Sequence, residues 1–188
     1  MWELMPRNDV AVWDELEILK REAVRLWVKG KPDRKRIEEF CDWLEFVLCH
    51  VYAWGWQGVE DIIGKVNVMF NGDLDTVNIT IDGKTFRDRV LDAKTAEDVI
   101  RIIDTEAHRN ENAGAFNAAN ASGKSGLKKT WRTRMDDRVR DTHSYLEGVT
   151  VDLNDYFYTY TGASALYPGQ FGEPDEDINC RCVIEITT

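Results

Sequence analysis

Three side chains in this sequence have the types and placement to do chemistry together. His143 closes the run Asp136-Asp137-Arg138-Val139-Arg140-Asp141-Thr142-His143, while Cys180 and Cys182 lie in Asn179-Cys180-Arg181-Cys182, which opens the apolar alternation Val183-Ile184-Glu185-Ile186. On a strand, Cys180 and Cys182 point to one face and Arg181 to the other. Two sulfurs on one face can grip a soft metal ion, with His143 as a third ligand. Zinc takes such mixed sulfur and nitrogen sets tetrahedrally, and Asp136, Asp141 or water would be the fourth ligand. The same cysteines can instead be small buried hydrophobes at a strand start, or a strained disulfide. On a helix spanning 136–146, Asp136, Arg140 and His143 fall at i, i+4 and i+7 on one face, and Asp136 can pair with Arg140. The competing reading is a solvated charged helix with an incidental histidine.

Other polar residues are less pointed. Thr105-Glu106-Ala107-His108-Arg109-Asn110-Glu111-Asn112 puts polar groups on several helical faces, either to satisfy buried groups of the following segment or as a wet surface. Cys41, Cys49 and His50 sit among Phe40, Leu44 and Leu48 and read as core. The sequence has no phosphate-cradling glycine loop, no nucleophile-elbow serine and no His-Glu-x-x-His, so no enzymatic activity is expected. The alternative is an enzyme acting on nucleic acid through an exposed His143 beside Arg140.

The elements that must position these groups follow from periodicity. Trp13, Leu16, Leu19, Ala23, Leu26 and Trp27 mark one helix, with Asn8 and Asp9 able to cap it and Gly30-Lys31-Pro32 able to end it. Asp33 then caps a second helix carrying Ile37, Phe40, Cys41, Leu44, Val47, Leu48 and Val51, with Trp54-Gly55-Trp56 breaking the pattern. Alternation at Val66, Val68, Phe70 and at Val77, Ile79, Ile81, flanked by Asn71-Gly72 and Asp82-Gly83, predicts a small hairpin. Helical spacing returns over Phe86–Leu91 and from Thr95 onward, able to run through the alanine-rich stretch 113–121 to the hinge-like Ser122-Gly123-Lys124-Ser125-Gly126. Short strands are predicted near 129–134 and 182–186. The expected fold is α+β: a helical region with a small β-hairpin over 1–94, then a mixed α/β module of short strands and long loops over 95–188.

Composition bounds the remainder. The chain has 188 residues, 43% hydrophobic, with a formal net charge of −10, which supports an ordinary core and disfavours a dedicated nucleic-acid binder. No apolar run approaches a membrane span, no secretory signal is visible, and four cysteines are too few for a disulfide scaffold, so a reducing cytosol is the expected place of synthesis. Charge is uneven: residues 124–140 carry seven bases against two acids, and 141–188 carry nine acids and only Arg181. Lys124, Lys128, Lys129, Arg132 and Arg134 form a local basic stripe, which either pairs with the acidic end of its own chain or meets an outside partner.

Taken together, Ile103-Asp104-Thr105-Glu106…Arg109…Asn112, Lys129-Thr130-Trp131, Asp136…Arg140…His143…Leu146…Gly148, Asp152, Phe157, Tyr167-Pro168-Gly169, Pro174 and Asn179-Cys180-Arg181-Cys182 resemble the phage Mu F-like head morphogenesis family, the minor capsid proteins of tailed phages. The resemblance covers about residues 95–186; Ile81-Asp82-Gly83-Lys84-Thr85-Phe86…Arg89 resembles it more loosely, and residues 1–65 do not. It implies a structural virion protein inside the capsid near the portal, made in the host bacterial cytoplasm and acting in head assembly or DNA packaging and delivery. Its implied partners are the portal and other capsid proteins, with packaged DNA or an acidic portal surface against the basic stripe, and neither membrane nor small-molecule substrate. On this footing Asp136, Arg140, His143, Asn179, Cys180 and Cys182 are expected to form a structural knot pinning the last strand, with one structural zinc ion as its metal version. An adaptor outside the virion, binding through exposed Trp54 and Trp56, is a further alternative.

Overall fold

A computed structural model describes residues 9–66 and 79–188, and most of the described residues before 122 are helical. Helix α1 (Asp9–Trp27) buries Leu16, Leu19, Ala23 and Trp27 along one stripe. Asn8, an expected cap, lies outside the described residues. Asp33 accepts a hydrogen bond from the Arg36 amide and starts α2 (Arg34–Ile63).

The expected break at Trp54-Gly55-Trp56 does not occur: α2 runs unbroken for 30 residues. The glycine has another use. A Cβ on Gly55 would collide with the Glu111 carbonyl, and one on Gly114 would collide with the Tyr52 carbonyl. These two residues let α2 and the long helix α4 (Ala96–Ala121) cross backbone to backbone. A glycine costs a helix interior about 1 kcal/mol relative to alanine, and here it is retained because no side chain fits.

Most of the predicted hairpin falls on residues 67–78, outside the described residues. Its final turn is present: Asp82 and Gly83 take positive φ (50° and 70°) while Ile81 and Lys84 exchange two backbone hydrogen bonds of 3.0 Å. Helices α3 (Phe86–Asp92) and α4 each begin with a reciprocal capping box, Thr85 with Asp88 and Thr95 with Asp98. Helix α4 runs on through the alanine-rich stretch, as its composition suggested.

Beyond Gly126 the chain turns to short strands. Strand β1 (Lys128–Arg132) is the centre of a three-stranded antiparallel sheet, between β2 (Thr150–Asp152) and β5 (Val183–Thr187). A second ladder pairs β3 (Phe157–Tyr158) with β4 (Ser164–Ala165). Single helical turns form α5 (Asp141–Ser144) and α6 (Pro174–Asp177). The fold is α+β, with the N-terminal helical region and the C-terminal module of short strands in the expected order. Among the described residues no helix is long and apolar enough to cross a membrane.

Two apolar clusters organise the core. One gathers Leu19, Phe40, Leu44, Leu48, Phe86 and Ile103 from helices α1 to α4; the other gathers Val59, Phe116, Trp131, Leu146, Phe157 and Ile184 between α2, α4 and the sheet. Helix α4 contributes to both, so the packing is continuous across the 94/95 boundary read from the sequence.

One residue of the basic stripe belongs to this core. Lys129 is fully buried, its Nζ 4.8 Å from the Phe116 ring centre and 5.2 Å from that of Phe157, with no hydrogen-bond partner. Burial pushes its pKa down to about 8. The unfolded chain would take up this proton at the ordinary value of 10.5.

Gly55→Ala or Gly114→Ala will destabilise the fold by roughly 3 kcal/mol in urea denaturation, because neither backbone can yield. Gly58→Ala on the same α2 helix, where a Cβ meets open space, will stabilise it by about 0.5–1 kcal/mol. Between the folded and unfolded values for Lys129 the unfolded state holds more protons, so this residue makes stability rise with pH over that window and carries its full penalty below it. Lys129→Met should therefore be more stable than the parent by about 2 kcal/mol at neutral pH, with the gain shrinking towards zero above the unfolded value. Paired urea midpoints at neutral pH and beyond pH 10 will check this; a pH-independent difference contradicts the assignment.

Candidate functional site

The imidazole of His143 and the two sulfurs meet, although the residues are 37 and 39 positions apart: Nδ1 lies 3.6 Å from Cys180 Sγ and 3.5 Å from Cys182 Sγ. All three residues are buried, and among the described residues they are the group whose donor atoms converge as metal ligands would. Both cysteines are free thiols. The Cys180 thiol is pushed well up by its hydrogen bond to Cys182 and by burial. Cys182 is drawn down by the same bond and then by the adjoining imidazole. On the far side of the ring, Nε2 is 3.1 Å from Glu176 Oε2, though off the line a hydrogen bond needs, and the Thr142 hydroxyl donates to that same oxygen at 2.8 Å. Trp131 stands edge-on to the imidazole with centroids 5.3 Å apart, and Phe171 stacks on it at 5.6 Å.

The rest of the expected knot is built differently from the helical reading. Residues 136–140 are not helical; the helix begins only at Asp141, with Arg140 extended before it. Asp136 instead accepts from the Arg138 amide (3.1 Å), a local turn that competes with the helix, and forms a two-pronged pair with Arg181 at 2.6 and 2.8 Å. The predicted Asp136–Arg140 pair is therefore absent, and neither Asp136 nor Asp141 joins the His–Cys group. Freed from the helix, Arg140 reaches 36 and 38 residues forward and donates 2.6 Å bonds to the Glu176 and Ile178 carbonyls, clamping the end of α6. Asn179 follows with φ of 60°, a left-handed turn that asparagine tolerates, and its amide donates to Thr105 Oγ1 at 3.1 Å. That turn sends Cys180 inward.

Helix α4 supplies the opposite wall. The Asn112 side chain donates to the Cys182 carbonyl (3.0 Å) and accepts from the Ile184 amide (2.9 Å), as a neighbouring strand would. Glu106, fully buried, accepts from Arg89 and Arg109, and the Arg109 stem packs under Gly169, whose φ of 89° and missing Cβ permit the approach. The polar run 105–112 thus satisfies buried groups of the following segment. Glu176, Thr142 and Phe171 were not foreseen. Pro174 followed by three acids is a helix-start signal that could have found α6.

The other basic and aromatic candidates are dispersed. Lys124 donates to the Ile63 carbonyl, Lys128 pairs with Asp152 at 2.8 Å, and Arg132 pairs with Glu185 at 2.8 Å and Glu147 at 3.6 Å. Lys129 is in the core. Arg134 is exposed and has no carboxylate partner among the described residues. Trp54 and Trp56 are half-buried, and Trp56 packs against the second apolar cluster, so they do not form the exposed patch an adaptor would present.

Removing Asn112 orphans two buried backbone groups at about 1–3 kcal/mol each. Asn112→Ala should therefore lower stability by roughly 2–4 kcal/mol in urea and speed hydrogen exchange at the Ile184 amide more than at Val99 in the helical half.

A family model described as "Phage Mu protein F like protein" matches residues 79–185, which include His143, Cys180 and Cys182. The chain is also similar to the NAD(+)--arginine ADP-ribosyltransferase EFV of Enterococcus faecalis, 38% identical over 85 residues that make up 44% of this chain and 17% of that protein. Against minor head protein GP7 of Bacillus phage SPP1 it is 32% identical over 81 residues, 43% of this chain and 26% of that protein. The matched stretches thus span about a sixth and a quarter of those two relatives. No solved structure matches the chain. Since the family match takes in more than half of the chain and the whole converging group of side chains, the chain belongs to the Phage Mu F-like family.

Proposed function

We propose that this chain is a structural component of a tailed-phage or prophage head, acting inside the capsid near the portal in head assembly and in DNA packaging or delivery. The family match and the likeness to a phage minor head protein support the general reading. The observation that carries a structural over a chemical role is the state of His143, which is buried and faces two sulfurs, while Arg140 is spent on two backbone carbonyls. An acid–base catalyst on a phosphodiester needs an accessible imidazole within reach of its substrate. The likeness to an ADP-ribosyltransferase covers 17% of that protein and is consistent with a shared non-catalytic module. Contacts with portal or capsid proteins suit an acidic body whose bases are mostly paired internally. Contact with packaged DNA is narrowed to the surface around Arg134 and Arg138.

The test is to delete the coding sequence from the phage or prophage and complement it with the parent or with Arg140→Ala. The parent chain should co-purify with heads and remain inside them after nuclease treatment. The deletion should leave heads with reduced DNA content or infectivity, and Arg140→Ala should complement poorly. Heads that lack the chain, with normal DNA content in the deletion, would refute the reading.

A further inference from the structure

The nitrogen–sulfur separations in the buried group, 3.5 and 3.6 Å, carry information about what the group can hold. A tetrahedral zinc with sulfurs at about 2.3 Å and nitrogen at about 2.0–2.1 Å has nitrogen–sulfur edges of roughly 3.6 Å. The three donor atoms lie within 4.8 Å of one another and so already stand as one face of such a site. The side chains around them agree with this. Glu176 Oε2, itself held by Thr142, lies 3.1 Å from Nε2 on the side of the ring where a metal-bound imidazole keeps its carboxylate, although Nε2 is not aligned to donate to it. A pocket walled by Arg134, Arg138, Val139 and Asn179 opens onto the donors, with a free volume of about 10 Å³, room for about one water.

We propose that His143, Cys180 and Cys182 bind one zinc ion through Nδ1 and two thiolate sulfurs, with a water from the adjoining pocket as the fourth ligand. The thiol protons leave to solvent as the ion binds, and no oxidation or reduction is involved. Two thiolates against one divalent cation leave the buried group neutral, and sulfur ligands select a soft ion over magnesium or calcium. The ion would join α5 to the start of β5 across the intervening loops and add to the Asn112 and Arg140 contacts that already place that strand. This inference does not rest on the head-assembly reading, since it concerns the purified chain alone.

The test uses the full chain, loaded with zinc, exchanged into metal-free buffer and submitted to elemental analysis, with a parallel titration by cobalt(II). One zinc per chain is expected, together with a sulfur-to-cobalt charge-transfer absorption and visible bands of tetrahedral intensity. Cys180→Ser and Cys182→Ser should each lose the ion or shift those bands, whereas Cys41→Ser and Cys49→Ser, on α2, should keep both. Should the site variants fail to fold, the parent protein still decides the matter by its metal content and cobalt spectrum. Less than about a tenth of an equivalent of zinc, with no thiolate charge-transfer band, would overturn the proposal and leave a hydrogen-bonded thiol–imidazole cluster.

Discussion

Residues 180–184 enter the sheet through the interior, and their polar backbone groups have to be met there. On one side β5 pairs with β1, and on the other Asn112 receives the Cys182 carbonyl and Ile184 amide in place of a strand. Buried amides and carbonyls cannot be left to themselves, so this one side chain fixes how α4 and the sheet meet. The neighbouring contacts then follow: Asn179 turns inward at Thr105, Arg140 clamps the carbonyls just before it, and both cysteines arrive at His143.

That junction would be poorly placed if α4 could slide. Its position along α2 is set by the Gly55 and Gly114 crossing, where two backbones touch with no side chain between. Because α4 lines both apolar clusters, the helical region and the strand module are held by one rigid rod. The buried Glu106, shared by Arg89 and Arg109, lies in the middle of that rod and ties α3 to it. Such ionic groups add little net stability compared with apolar packing, but a misplaced partner would leave a charge stranded, which penalises alternative arrangements.

The charge pattern has a similar logic. The chain is strongly acidic, and most of the bases concentrated in residues 124–140 are consumed within it. Arg132 meets Glu185 and Glu147, Lys128 meets Asp152, and the nearby Arg181 meets Asp136. These pairs lie at the rim of the sheet and contribute modestly in water. They leave a narrow basic surface at Arg134 and Arg138, beside the mouth of the histidine–cysteine pocket.

Local chemistry was legible in the sequence wherever a short-range rule decided it. The helix start at Thr95, the Asp33 cap, the stripes of α1 and α2, the Asp82-Gly83 turn and the helix running through the alanine-rich stretch are all settled by neighbours within a few residues. Cys180 and Cys182 were expected on a strand, but β5 begins only at Val183, and it is the turn at Asn179 that brings both sulfurs to His143. Tertiary structure alone decided that Gly55 is a crossing point and not a break, that residues 136–140 unwind so that Arg140 can reach the end of α6, and that Lys129 turns inward against Phe116 and Phe157. In each case a partner far along the chain outweighed the local preference. A helical turn or an exposed lysine is worth about 1 kcal/mol or less by itself, whereas a steric clash or an orphaned buried backbone group costs more than that.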